Sequence, residues 1–180
     1  AHDIIDRYNK GELMHADSIK YIDSLKVNTL KLNRPIYGGG GISPDIFVGI
    51  DTTENTKYYR QVTAKGLINR YAIKTVDKDR KEILAKYPTD NDFLKGYSIS
   101  DAQLQELYDM ATAEKIDFNA EEAALSRPLF EMVLKGLIGR DIYDSSTYFK
   151  VYNEKDPMFK RALEVIKTKE YSDVLKFPGK

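Results

Sequence analysis

The 180-residue chain carries 28 Lys and Arg against 28 Asp and Glu, a formal net charge of zero, so no basic excess speaks for a nucleic-acid partner. Hydrophobic residues make up 42% and charged residues 31%, the balance of a globular chain and not of a disordered one. With no cysteine, disulfides, thiolate metal sites and a cysteine nucleophile are excluded, and no apolar run approaches the ~20 residues of a membrane span.

The chain starts Ala1-His2-Asp3 with no initiator Met and no visible signal peptide, which reads as an excised or processed fragment. Ile4, Ile5 and Tyr8 lie at helical spacing, with Gly11 as the stop. Residues 27–32 and 36–37 predict a hairpin turning at Asn33. Ile46-Phe47-Val48-Gly49-Ile50 predicts a third strand, apolar enough to want cover on both faces.

From Thr52 the reading turns helical. Thr53 or Asn55 caps a helix through Lys65, stopped by Gly66. A helix over 67–87 follows, with Ile68, Tyr71, Ala72, Val76, Ile83 and Leu84 on one face and Pro88 as terminator. The mixed charges of 77–82 at its middle read as a solvated, ion-paired face. Ser100-Asp101-Ala102-Gln103 is a capping box that opens a helix with Leu104, Leu107, Tyr108 and Ala111 on its stripe. Asn119 and Glu122 form a similar start. After Ser126-Arg127-Pro128, residues 129–142 are apolar on most sides, a buried helix in which Gly136 and Gly139 let a neighbour approach closely. Asp156-Pro157 begins the last helix, with Met158, Phe159, Ala162, Leu163 and Ile166 as its stripe. The expected fold is mainly α: a short β-hairpin at the N-terminal end followed by a multi-helix C-terminal domain, divided into 1–51 and 52–180.

The most distinctive stretch is Arg34-Pro35-Ile36-Tyr37-Gly38-Gly39-Gly40-Gly41-Ile42-Ser43-Pro44-Asp45-Ile46-Phe47-Val48. Four glycines between apolar segments read as a close backbone crossing, after which Pro44 fixes its own φ and forces Ser43 out of the helical region. The run is not a phosphate loop. No Gly-Lys-Ser/Thr follows, no GxGxxG opens a helix, and Pro44 stands where the helix should begin. His2 and His15 are the only histidines and show no HExxH or His-carboxylate pairing, so no metal ligands are assigned. Ser18 with Lys20, and Ser24 with Lys26, have the spacing chance gives in short polar segments of a lysine-rich chain. Among 13 tyrosines, Tyr58, Tyr59, Tyr71, Tyr87, Tyr97 and Tyr108 fall at helix faces and ends, where Tyr sits at a core edge with its hydroxyl toward solvent.

The glycine stretch resembles the signature near the end of the peptidase domain in the C-terminal processing (tail-specific) serine peptidases, carried by Arg34, Tyr37, Gly38, Gly39, Gly40, Gly41, Ile42, Pro44 and Asp45. Asp51-Thr52-Thr53, Lys57-Tyr58-Tyr59-Arg60, Gly66-Leu67-Ile68-Asn69-Arg70-Tyr71 and the stretch on to Val76-Asp77-Lys78 look like the form of that family with a long helical C-terminal extension. Gly49 departs from the pattern where Pro is usual, and Lys31-Leu32-Asn33 replaces a Gly-containing turn. The resemblance implies a Ser nucleophile and a Lys general base lying upstream of the motif, so the motif residues are structural and no catalytic, cofactor or metal residue is expected in this chain. It implies further a bacterial periplasmic or envelope parent acting on protein C-termini without a cofactor. The expected partners are the upstream peptidase domain of the same polypeptide, the parent's protein or peptide substrate, no nucleic acid, and a second copy of the chain. Strands cut from a larger sheet leave bare edges, so self-association of the isolated chain is expected. The alternative is a stand-alone helical protein-interaction module whose glycine hairpin is only a structural device.

Overall fold

The computed structural model describes residues 2–30, 33–38, 44–168, 170 and 172, and it is mainly α. The chain divides into two compact units, Thr52–Asp156 and Ala1–Asp51 with Pro157–Lys180.

The Thr52–Asp156 unit is built from six helices: α2 (Lys57–Ala64), α3 (Leu67–Lys86), α4 (Asp90–Gly96), α5 (Asp101–Ala113), α6 (Ala120–Ile142) and α7 (Ser145–Asn153). Local chemistry sets their ends. The α2 cap is Thr56, whose hydroxyl accepts from the Tyr59 N–H at 3.2 Å, and not Thr53 or Asn55. Gly66 separates α2 from α3 in the left-handed conformation at φ +67°. The Ser100–Gln103 capping box forms with both of its reciprocal bonds. At Asn119 only half of one forms: the side chain accepts from the Glu122 N–H, while the Glu122 carboxylate goes instead to the Tyr58 N–H at 2.5 Å, serving an orphan donor of α2.

Two helices here have no counterpart in the sequence expectations. Thr89 and Asp92 cap each other reciprocally to start α4, and the Asp144 carboxylate accepts from the Ser146 and Thr147 N–H groups to start α7. Nor is there a break before residue 129. Helix α6 runs through Pro128, because a single missing N–H is outweighed by the burial on either side of it.

The core is continuous from α2 to α7. Val62, Leu67, Ala72, Phe93, Leu107, Ala111, Phe130, Leu134 and Ile138 are fully buried, and α6 supplies the centre. The expected face of α3 is buried except Leu84, which stays partly in water. The charged stretch 77–82 is largely solvated, as expected, with Arg80 reaching the Asp141 carbonyl at 2.9 Å. Gly136 and Gly139 do what the sequence suggests: α7 packs so closely on α6 that a Cβ at either would lie 2.8 Å from Tyr148 or 2.7 Å from Thr147.

The other unit is different in kind. It contains α1 (His2–Asn9), single 3₁₀ turns at Ala16–Ser18 and Asp23–Leu25, the strands β1 (Lys26–Asn28) and β2 (Pro35–Tyr37), and α8 (Pro157–Thr168). The expected hairpin is present but short: β1 and β2 pair antiparallel with Val27 opposite Ile36. Asn33 takes φ +50° in the connection, and its side chain accepts from Asn28 Nδ2 at 3.0 Å. Gly11 ends α1 at φ +78°, as its position predicts.

The third strand expected at 46–50 does not form. Gly49 lies against the backbone of Met14, where an added Cβ would overlap the Met14 carbonyl, and the Ile50 N–H donates to Leu13 at 3.0 Å. These residues trace the 13–14 segment, with no ladder to any strand among the described residues. Helix α8 begins at Pro157 as expected, yet Met158, Phe159, Leu163 and Ile166 of its stripe are exposed.

Candidate functional site

The residues singled out by the sequence sit around β2. Arg34 precedes the strand and donates its N–H to Thr29 Oγ1 at 3.0 Å, and its guanidinium pairs with the Asp45 carboxylate. That ion pair joins the two ends of the glycine stretch. Tyr37 ends the strand and packs on Tyr21, ring centroids 4.5 Å apart. The Gly38 N–H donates to the Leu25 carbonyl at 2.9 Å, extending the β1–β2 pairing by one bond. Pro44 and Asp45 are exposed. Gly39, Gly40, Gly41 and Ile42 lie outside the described residues, as does Ser43.

Around this segment no described residue is buried. Ile4, Ile5, Ile22, Val27, Leu30 and Ile36 all present apolar surface to solvent, Ile22 at 58% and Val27 at 56% of full exposure. Every buried residue among those described falls between Tyr58 and Val151. Scattered exposed apolar residues are ordinary, but a segment with many of them and no core of its own lacks the burial that would hold it together.

Among the described residues no serine is paired with a desolvated lysine. A Ser-Lys pair needs a lysine stripped of solvent, since only desolvation releases its proton near neutrality. Lys20 and Lys26 are exposed, and neither neighbours its serine through a hydrogen bond among those described. Lys135 in α6 does feel burial, which pushes its ammonium down from the ordinary lysine range. It spends that ammonium on the Leu94 carbonyl at 2.6 Å, near the end of α4, and sits 5.9 Å from the Phe93 ring centroid. This is a helix-end cation holding α4 to α6. The buried Ser126 is committed too, its hydroxyl donating to the Glu54 carbonyl at 2.6 Å and lying 2.7 Å from Thr56 Oγ1.

Among the described residues no group of three or more His, Asp or Glu side chains converges as a metal site. No described helix is long and apolar enough to cross a membrane. The tyrosines divide as the sequence suggests, except for Tyr58 and Tyr71, both of which are buried. Tyr87 and Tyr97 rim the core, their hydroxyls bonded to the Gly96 carbonyl and to Gln103. Tyr58 instead is 1% exposed, its hydroxyl buried with no described partner, and burial, with lesser repulsion from Tyr108 and Asp109, pushes it up to about 12.

Residues 58–144 match a family of unknown function (DUF8443), a stretch that runs from α2 to the cap of α7 and takes in nearly all of the buried core. No curated protein matches the chain, and no solved structure does.

Proposed function

We propose that the chain is the C-terminal, non-catalytic portion of a tail-specific serine endopeptidase. In this reading 1–51 closes the β part of the peptidase domain, and the helical remainder scaffolds or oligomerises it. The Ser-Lys pair belongs to the polypeptide upstream, and the parent works on protein C-termini in the bacterial periplasm or envelope.

The observation that carries the reading is the bare unit around the signature. A hairpin of two three-residue strands, surrounded by exposed Ile, Val and Leu, is marginal alone and gains a core only against a larger sheet. The Arg34–Asp45 pair ties together two residues of the signature that suggested the family.

Amide exchange tests this. In the chain alone, Val27 and Ile36 should exchange almost as fast as unfolded amides, and slow by orders of magnitude when the upstream peptidase segment is joined to Ala1. Strong protection of both in the chain alone would refute the reading.

A second reading, a stand-alone helical interaction module, is favoured by the complete core of the Thr52–Asp156 unit. It predicts a protein partner that binds 52–156 without competition from the peptidase region.

A further inference from the structure

A groove of about 290 Å³ runs between α5 and the first half of α6, separate from the glycine segment. Its floor is apolar: Leu104, Tyr108, Phe118 and Ala123. Phe118 is 48% exposed although its ring is fixed in an aromatic cluster, 5.4 Å from Tyr108 and edge-on to Tyr58 at 5.7 Å. An aromatic ring held in place by its neighbours and left half in water is a ready contact surface, with little entropy to lose on binding.

Among the polar groups around the groove are acceptors. Pro128 has no N–H, so the carbonyl of Ala124, a residue lining the groove, lacks the donor that the next helical turn provides. At the rim the Arg127 guanidinium donates to Asp101 at 2.5 Å and to Glu131 at 2.7 Å. Asp109, on the same stripe of α5 as Asp101 and Gln105, accepts from the Gln105 amide at 2.9 Å. Two carboxylates, Asp101 and Glu131, therefore share one guanidinium, and the Asp101 side chain remains 85% exposed. The groove offers an apolar floor, a backbone acceptor short of its donor and an excess of negative charge.

We propose that this groove docks a peptide segment presenting one bulky apolar side chain beside a lysine or arginine. The apolar group lies on Tyr108 and Phe118, and the cation meets Asp101. The volume admits one large side chain, so the affinity of a short peptide is weak and the recognition is of a local pair of residues. This goes beyond the scaffolding role above and does not depend on it, because every residue involved lies within 52–156.

The test uses the full chain and three short blocked peptides: acetyl-Gly-Phe-Lys-Gly-amide, its Phe-Glu counterpart and its Ala-Lys counterpart, titrated to millimolar concentration while backbone amide shifts are followed. The Phe-Lys peptide should shift Leu104, Tyr108, Phe118 and Ala124 in a saturable way, and the other two should bind at least severalfold more weakly. Asp101→Asn should weaken the Phe-Lys peptide by about two- to fivefold, the range of a solvent-exposed ion pair. Ala124→Arg, at an exposed helical position, should block the groove while leaving the thermal unfolding midpoint nearly unchanged. The proposal is overturned if the three peptides shift these amides equally, if the Phe-Lys peptide shifts none of them, or if light scattering shows the groove covered by a second copy that Ala124→Arg releases.

Discussion

Replacing Gly139 by Ala sets two known effects against each other at one atom. The position lies inside α6, where Ala is favoured over Gly by about 1 kcal/mol. The new methyl, however, would lie 2.7 Å from Thr147 Cγ2 and 2.9 Å from Phe93 Cε1. Carbon atoms pack at about 3.5–4.0 Å, so close to an ångström must be found. Neither neighbour yields easily. Both are fully buried, and Phe93 is stacked on Tyr97 at 4.6 Å and tilted against Tyr143 at 5.5 Å. Overpacking of this kind costs about 1–3 kcal/mol, which leaves a net loss near 1 kcal/mol after the helical gain. For a unit of this size that lowers the unfolding midpoint by about 4–8 °C, readable by circular dichroism at 222 nm. A rise in the midpoint would mean that helix propensity wins, and that α6 and α7 are not in the close contact described.

Other outcomes follow from the same packing. Ser126→Ala removes the buried hydroxyl that serves the Glu54 carbonyl and Thr56, and should cost about 1–2 kcal/mol in urea unfolding. Tyr58→Phe deletes a buried hydroxyl with no described partner, so stability should hold or rise by up to about 1 kcal/mol. Burial raises both Tyr58 and Tyr71 to about 12, so the neutral phenols favour the folded state; that stability is complete below the ordinary tyrosine value of 10.0 and is lost as pH climbs toward 12. An absorbance titration at alkaline pH should show Tyr58 and Tyr71 among the tyrosines that ionise late, with one fewer late phenol in Tyr58→Phe. At the acid end, the hydrogen bond from Lys150 holds Asp90 below its usual range, as that from Arg70 does Glu114. Their contribution is present above the ordinary carboxylate range, about pH 4, and lost as pH falls through it, so the urea midpoint should be flat from neutral pH down to about 5 and then decline.

Much of the helical unit was legible because its signals are local. Ser100 with Gln103 named the start of α5 to the residue, and the glycine pair of α6 announced a close neighbour before α7 was known. Helices α4 and α7 were missed because each is short and has few buried side chains, although Thr89 with Asp92 and Asp144 before two serines carried the capping signal. Pro128 suggested a boundary that burial on either side overrides. The strand expected at 46–50 rested on composition alone. A strand is defined by its partner, and among the described residues there is none. The stripe of α8 was legible as a pattern, but a pattern does not say what covers it. Of the candidate site, the residue types of the signature were evident and the Arg34–Asp45 pairing was not, since residue types do not say which of two distant positions meet. The groove between α5 and α6 gave no sequence signal, because its lining comes from three separate segments.

The coding sequence upstream of Ala1 tests the central proposal most directly. The account predicts a Ser nucleophile and a Lys general base encoded upstream, in frame with this chain. A start codon and signal peptide immediately before Ala1 would contradict it and move the interaction-module reading ahead.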